Sequence, residues 1–200
     1  NLEVIEGDIL KIFKFPPSTF HLLHSSYKLV SYIPYYLTSR LIRVLLEQES
    51  KPQAIVLTIQ KEVAERICAK PPKMNLLAIS VQVFGKPEII KKVPADCFWP
   101  KPKVDSAIIK IDDISNDFFY KHGFSTDIFF KIAKTAFSGK RKMLINTLCT
   151  VPSTVQVSTA AKKNKIRDIL KAAGLSEKSR PEELSLEQWT SLVKNFGKIV

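Results

Sequence analysis

The chain has 200 residues, 45% of them hydrophobic, and 31 Lys or Arg against 19 Asp or Glu give a formal net charge of +12. This length can bury one large core, or a core and a small second domain, and no apolar run is long enough to cross a bilayer. The three cysteines are scattered, which argues against a disulfide framework and against a zinc site and favours a reducing, cytoplasmic compartment. The basic excess implies a polyanionic partner such as nucleic acid.

The first half of the chain predicts strands alternating with helices. Residues 28–33 show no polar alternation until Ser31, which predicts a central strand. Thr38 or Ser39 is the expected cap of the helix that follows, and residues 104–112 alternate as an outer strand would. This order indicates a parallel sheet that ends in an antiparallel hairpin. The predicted strands are 2–6, 28–33, 53–60 and 104–112, the predicted helices are 40–48 and 61–69, and 75–93 starts helical and becomes alternating.

The second half of the chain predicts helices alone. Gly174 suits the end of a helix, and Ser185 with Gln188 forms the pattern of a capping box. We therefore expect an α/β domain in residues 1–113 and a small all-α domain in residues 114–200. The predicted helices are 125–137, 141–149, 162–173 and 185–196.

One basic stretch points to phosphate contacts. Residues 131–171 contain ten Lys or Arg and a single acid, Asp168. A solvated helix face normally mixes charge signs, so a stretch of nearly one sign favours binding to a nucleic acid backbone. Lys140, Arg141 and Lys142 are expected to open a helix, where an anion would relieve their conflict with the helix dipole. The alternative is a solvated helix start.

Two motifs suggest contacts to a nucleoside. In "VIEGDIL" (4–10), Asp8 could accept hydrogen bonds from a nucleoside, or it could only form a turn after Gly7. In "SYIPYY" (31–36), Pro34 would leave carbonyls free to accept from an amino group, and the tyrosines could stack on a base. The alternative for these tyrosines is a place in the core with satisfied hydroxyls.

A third motif, "FWPKPKVDSA" (98–107), puts two aromatic residues on a proline-stiffened loop. Phe98 and Trp99 could form a stacking platform there, or a hydrophobic lid over the sheet edge.

Elsewhere, His21 and His24 have no neighbours that would complete a metal set, so no metal site is predicted.

Six stretches in colinear order make the chain resemble the ribosomal RNA adenine dimethyltransferases of the KsgA family. The macrolide-resistance rRNA methylases share the first half, but "PKVDSA", "KRK" and "EELSLEQW" favour the small-subunit enzyme. The six stretches are "VIEGDIL" (4–10), "KLVSYIPYYLTS" (28–39), "IQKEVAERICAKP" (59–71), "FWPKPKVDSAIIKI" (98–111), "AFSGKRKMLINTL" (136–148) and "RPEELSLEQW" (180–189).

The resemblance implies a Rossmann-like α/β methyltransferase sheet that uses S-adenosylmethionine, followed by a helical RNA-binding domain. It implies dimethylation of N6 on two adjacent adenines of small-subunit (16S) rRNA in the immature small ribosomal subunit, by a monomer that acts in ribosome biogenesis. The glycine-rich cofactor loop and the rest of the sheet are then expected upstream of Asn1.

The resemblance also implies roles for particular residues. Asp8 matches the acid that contacts the cofactor adenine, and Phe98 matches the aromatic residue that stacks on the target base. The catalytic tetrapeptide Asn-Leu/Ile-Pro-Tyr, whose first residue also borders the cofactor, corresponds to Tyr32, Ile33, Pro34 and Tyr35. The RNA-binding residues implied by the basic stretch are Lys140, Arg141, Lys142, Lys162 and Lys163.

Tyr32 departs from this family pattern, because a long phenol stands where the family has a short amide. A displacement of about 1 Å at the reacting centre can cost about a hundredfold in rate. Two functions therefore stay open: an active rRNA adenine dimethyltransferase, and a non-catalytic rRNA-binding or ribosome-assembly protein that has lost methyl transfer.

Overall fold

The computed structural model describes residues 4, 6–12, 27–139, 142–150 and 159–197. The chain divides into two compact units. The first comprises Asn1–Cys68 and Phe84–Ser115, and the second comprises Ala69–Val83 and Asn116–Val200. The assignment of 1–113 to methyl transfer and of 114–200 to RNA binding stays a prediction.

The first unit contains a mixed sheet of four described strands in the order β1-β2-β4-β3. β1 and β2 are parallel, whereas β4 is antiparallel to both of its neighbours. The expected combination of a parallel pair with an antiparallel hairpin is confirmed. The strands are β1 (Lys28–Tyr32), β2 (Ala54–Gln60), β3 (Lys86–Val93) and β4 (Ser106–Asp112), and the helices of this unit are α1 (Ile9–Ile12), α2 (Thr38–Glu47) and α3 (Lys61–Ile67).

The core of this unit follows the alternation of its two inner strands. Ile55, Leu57 and Ile59 of β2 are fully buried, as are Ile109 and Ile111 of β4. The intervening residues are only half-buried. The helix α3 contacts β2, β3 and β4 and so packs against this part of the sheet.

Two strand positions differ from the sequence-based expectation. β1, expected to be central, lies at the edge of the described sheet, and Val30 is 78% exposed. β4, expected to be outer, lies between β2 and β3. One face of β4 is more deeply buried than the other, and this produces the alternation in its sequence. An edge strand with one buried face shows the same alternation, so the pattern alone does not give the position of a strand in the sheet. The expected strand at 2–6 falls largely outside the described residues.

The start of α2 also differs from the expectation. A 3₁₀ turn over Tyr35–Leu37 leads directly into the helix, so Thr38 is its first residue, and Leu37 takes the capping position. At the other end, Lys51 donates to the carbonyl oxygens of Leu46 and Gln48. This cation satisfies backbone acceptors in the last turn and at the C-cap of α2, and burial lowers its pKa.

The second unit is helical and is built around Trp189. The Trp189 indole is fully buried, stacks on Phe137 at 5.6 Å between ring centroids, and lies 6.4 Å from Phe129. The expected all-helical character after Asp113 holds in the described residues. The helices are α4 (Leu76–Gln82), α5 (Asp117–His122), α6 (Thr126–Ala136), α7 (Leu144–Leu148), α8 (Thr159–Ala172) and α9 (Leu186–Gly197).

The helices of this unit differ from the sequence-based expectation in two respects, whereas the capping of α9 agrees with it. The capping box is confirmed, since the Ser185 N–H donates to Gln188 Oε1 and the Gln188 N–H donates to Ser185 Oγ. α5 was not anticipated, because its six residues are too few to show periodicity. α7 begins at Leu144, so Lys142 precedes this helix and does not open it, while Lys140 and Arg141 lie outside the described residues.

Gly174 ends α8 as the sequence predicts. Its φ is +70°, its N–H donates to the Lys171 carbonyl, and the Leu175 N–H donates to the Leu170 carbonyl. These two bonds form a Schellman motif, and Leu170 and Leu175 are both buried next to it. In the part of the chain that the structure describes, no helix combines the length and apolar character needed to span a membrane.

We expect Gly174→Ala to lower the free energy of unfolding by about 1 kcal/mol, because an alanine in the left-handed conformation is strained although space for its Cβ is available. Gly174→Asn should cost less, because Asn tolerates this conformation. Urea unfolding followed by the fluorescence of Trp189, in the same unit, measures both. The control is Lys171→Ala, which should change stability by less than about 0.5 kcal/mol. Equal stability of the Ala variant and the original chain would contradict the prediction.

Candidate functional site

Two loops of the first unit leave the sheet at one edge. Tyr32, the last residue of β1, pairs with Thr58 near the end of β2. Ser106, the first residue of β4, pairs with Gln60 of β2 and with Val93 of β3. The "SYIPYY" segment after β1 and the "FWPKPK" loop between β3 and β4 therefore start and end at the same edge, which contains the carboxyl ends of the parallel strands.

Tyr32 and Phe98 bring these two segments into contact. Their rings are stacked, with 6.0 Å between centroids and an angle of 28° between planes. Tyr32 is 63% exposed and Phe98 is half-buried. The aromatic residues predicted from two separate motifs thus stack on each other at this edge.

Tyr35 makes a second link between these parts of the chain. Its hydroxyl and the Ser106 hydroxyl are 2.9 Å apart, and Ser106 is fully buried. Ile33 is also buried, so the segment is fixed from its apolar side. Pro34 is exposed, and its carbonyl accepts the Leu37 N–H at 2.9 Å.

Asp105 fixes the "FWPKPK" loop and was not identified from the sequence. Its Oδ1 accepts the Ala95 N–H at 3.1 Å, its Oδ2 lies 3.4 Å from Lys61 Nζ, and its carbonyl accepts the Lys61 N–H at 3.0 Å. The Ala95 N–H and then the Lys61 side chain hold the pKa of Asp105 below its ordinary value. Asp105 and Ser106 belong to "PKVDSA", which served only as a family marker, although two adjacent polar residues at a strand start were a usable signal.

Asp8 lies at the start of α1 and is exposed. Its Oδ1 accepts the Leu10 N–H at 2.9 Å, which is the geometry of a turn-forming Asp. An exposed carboxylate with one such bond can still accept a nucleoside donor. Among the described residues, no cluster of three or more His, Cys, Asp or Glu could hold a metal ion.

The described basic candidates lie in the second unit. Lys142 is exposed just before α7, Lys163 is exposed on α8, and Lys162 is half-exposed on the same helix. Both α8 lysines lie close enough to Cys149 to oppose the rise in the pKa of its thiol that burial causes. The two α8 lysines therefore place positive charge near Cys149, at the end of α7.

The sequence model of the family described as "Ribosomal RNA adenine dimethylase" matches residues 1–195. A relative from Dehalococcoides mccartyi, named "Ribosomal RNA small subunit methyltransferase A", is 38% identical over 98% of this chain and 64% of its own length. A relative of the same name from Fusobacterium nucleatum is 39% identical over 84% of this chain and 61% of its own length. The chain thus spans less than two thirds of the length of these relatives.

Two solved structures share the fold. A dimethyladenosine transferase from Plasmodium falciparum superposes with a TM-score of 0.78 and 27% identity, over 99% of this chain and 73% of that protein. The 23S rRNA methyltransferase ErmE superposes with a TM-score of 0.61 and 19% identity, over 88% of this chain and 69% of that protein. This second likeness shows the fold alone, which agrees with the expected Rossmann-like class.

We expect Asp105→Ala to accelerate hydrogen exchange at the Ala95 amide severalfold, because the variant loses the acceptor of that N–H. Asp105→Asn keeps an oxygen acceptor and should have a smaller effect. In the unmodified chain the ionised carboxylate is the strongest form of this acceptor, and its pKa is lowered by the Ala95 N–H and by Lys61. Protection should therefore be greatest above the ordinary Asp range and should fall towards that of Asp105→Asn as the pH falls through the folded-state pKa.

The control for this exchange measurement is Asp96→Asn, in the same loop. The Asp96 carboxylate is paired with Lys101 and does not accept the Ala95 N–H. Unchanged exchange at Ala95 in the Asp105→Ala variant would show that Asp105 does not hold the loop.

Proposed function

We propose, since the chain belongs to the ribosomal RNA adenine dimethylase family, that it acts in S-adenosylmethionine-dependent dimethylation of N6 on two adjacent adenines of small-subunit rRNA. The protein would act as a cytoplasmic monomer on the immature small ribosomal subunit, in ribosome biogenesis. The observation that carries the proposal is that the segment with Ile33 and Tyr35 and the loop with Phe98 leave the sheet at one edge, at the carboxyl ends of the parallel strands.

The chemistry of adenine methylation explains why this edge suits the reaction. The lone pair of N6 is delocalised into the ring, so the amine needs hydrogen-bond acceptors that favour a pyramidal, nucleophilic form. The Ile33 carbonyl is the proposed backbone acceptor, and the exposed face of Pro34 borders it. The target base must be extruded and held by aromatic side chains, for which Phe98 and Tyr35 are the candidates. The Tyr35–Ser106 bond supports this role because it holds the Tyr35 ring in one orientation.

The residues present fit one end of the cofactor. S-adenosylmethionine would supply a methyl group on a sulfonium, so that in-line attack by N6 would form the C–N bond as the C–S bond breaks and the neutral thioether leaves. The exposed Asp8 carboxylate would accept hydrogen bonds from the adenine of the cofactor, and Tyr32 at the end of β1 would border it. Neither role requires acid or base catalysis, so the work of these residues is orientation.

A second function, rRNA binding without methyl transfer, is favoured by one observation. The Tyr32 phenol stands where the family has a short amide, and its ring lies on Phe98. It therefore competes with a base for the Phe98 ring and does not supply a short amide acceptor for N6. In this alternative the protein would act in ribosome assembly through its basic surface.

We expect the full-length protein that carries this sequence to transfer labelled methyl groups to unmethylated small ribosomal subunits. Phe98→Ala should lower kcat/KM by about 10- to 100-fold, because a base-stacking contact is lost. Phe98→Tyr should retain most activity. The control is Tyr120→Ala, an equally truncating change at an aromatic residue that is 79% exposed in the second unit. Absence of transfer by the unmodified protein would exclude the catalytic proposal.

Tyr32→Asn separates the two functions. Removal of the phenol frees the Phe98 ring and restores the family's short amide, so transfer should rise, by up to about 100-fold if misplacement of the base limits the reaction. Transfer that appears only in the Asn variant would favour the non-catalytic alternative for the natural chain. An active natural protein whose transfer falls in the Asn variant would show that the phenol itself takes part.

We expect the double change Lys162→Ala and Lys163→Ala to weaken rRNA binding and to reduce the slope of log K against log salt by about 1.4 to 1.8, as two lost phosphate contacts would. Binding is measured by titration at several salt concentrations. The matched control is Lys86→Ala with Lys110→Ala, which removes the same charge from lysines already paired with Asp113 and Asp112. An equal change of slope in both double variants would mean that only net charge matters.

A further inference from the structure

Trp99 is an exposed aromatic side chain that the proposed reaction does not use. It is 97% exposed, and it follows Phe98 directly in the loop between β3 and β4. A fully exposed indole gains nothing from the core of its own unit. Trp99 follows Phe98, the candidate for binding the target base, and is therefore available to the same ligand.

The loop that carries Trp99 is held at both ends. At one end the Ala95 N–H donates to the Asp105 carboxylate, and at the other the Ser106 hydroxyl is hydrogen-bonded to the Tyr35 hydroxyl. Two prolines, Pro100 and Pro102, also restrict the backbone that follows the indole. A ring on such a loop loses little conformational entropy when a ligand binds to it.

The surroundings of Trp99 favour a nucleotide over an apolar protein partner. The next charged residues along the loop are Lys101, which pairs with Asp96, and Lys103, which is exposed. The chain as a whole carries a net charge of +12. Lys103 follows the indole by four residues, so this loop carries both a stacking face and a cation for phosphate, the combination by which proteins bind unpaired nucleic acid.

We propose that Trp99 stacks on the unpaired base of the nucleotide adjacent to the one held at Phe98. Phe98 would then bind the extruded base, and Trp99 would bind its neighbour in the same single-stranded RNA. The inference rests on the proposed function, because it assumes that a base is held at Phe98. Stacking on an indole tolerates either base type, so this contact adds affinity and sets the register of the strand, without reading the sequence.

The test measures the affinity of the chain for a short single-stranded RNA with two adjacent adenosines. This affinity is compared with that for the same RNA in which one of the two adenosines is replaced by an abasic nucleotide. Removal of the base should weaken binding to the unmodified full chain by about 5- to 100-fold. The same removal should have almost no effect on Trp99→Ala. Trp99→Phe should retain most of the difference, because it keeps a ring. Circular dichroism of Trp99→Ala should match that of the unmodified chain, since the side chain is almost fully exposed.

Fluorescence gives an independent readout. The chain has two tryptophans, Trp99 and the fully buried Trp189. The RNA should quench the red-shifted emission of the exposed indole, and Trp99→Ala should abolish this quenching. Tyr120→Ala, in the other unit, should leave both readouts unchanged.

The outcomes separate this inference from the proposed function. An equal effect of base removal on the unmodified chain and on Trp99→Ala, together with intact methyl transfer, would overturn the role of Trp99 alone. No binding of the RNA at all would overturn the role of Trp99, and absent methyl transfer to ribosomal subunits would overturn the proposed function separately.

Discussion

The hydrogen bond between Tyr35 and Ser106 is the constraint on which the geometry of the candidate site depends. Ser106 opens β4 and is fully buried, so its hydroxyl needs a partner inside the protein, and Tyr35 provides it from 71 residues earlier in the chain. The bond connects the segment after β1 to the start of β4 across β2, which separates them in the sheet. Loss of either hydroxyl would leave a polar group unsatisfied next to the aromatic surface.

Asp105 extends this constraint to the next loop. Its carboxylate holds Ala95 and its backbone holds Lys61, so one dipeptide, Asp105-Ser106, fixes the loop that carries Phe98 and also the ring of Tyr35. The aromatic side chains that would touch RNA are thus oriented by polar residues that would not touch it. Such support distinguishes a site with defined geometry from a set of exposed rings.

Local signals in the sequence were sufficient for most helices and for the class of the sheet. The caps at Ser185 and Gly174 depend on neighbouring residues only, and the structure has both as expected. The order of strands was not predictable in the same way, because β4 and an edge strand can show the same alternation. For the site, "SYIPYY" and "FWPKPK" were recognised, but the bonds of Asp105 and Ser106 join residues far apart in the chain, and no periodicity encodes them.

Segment 69–83 has a consequence for how the two units could be separated. It belongs to the helical unit, yet it interrupts the sheet unit between α3 and β3, and the Met74 N–H is bonded to the Glu182 carbonyl of the helical unit. Truncation near residue 115 would leave α4 on the fragment with the sheet, although its buried side chains belong to the helical unit. No single truncation point therefore yields either unit with all of its own residues.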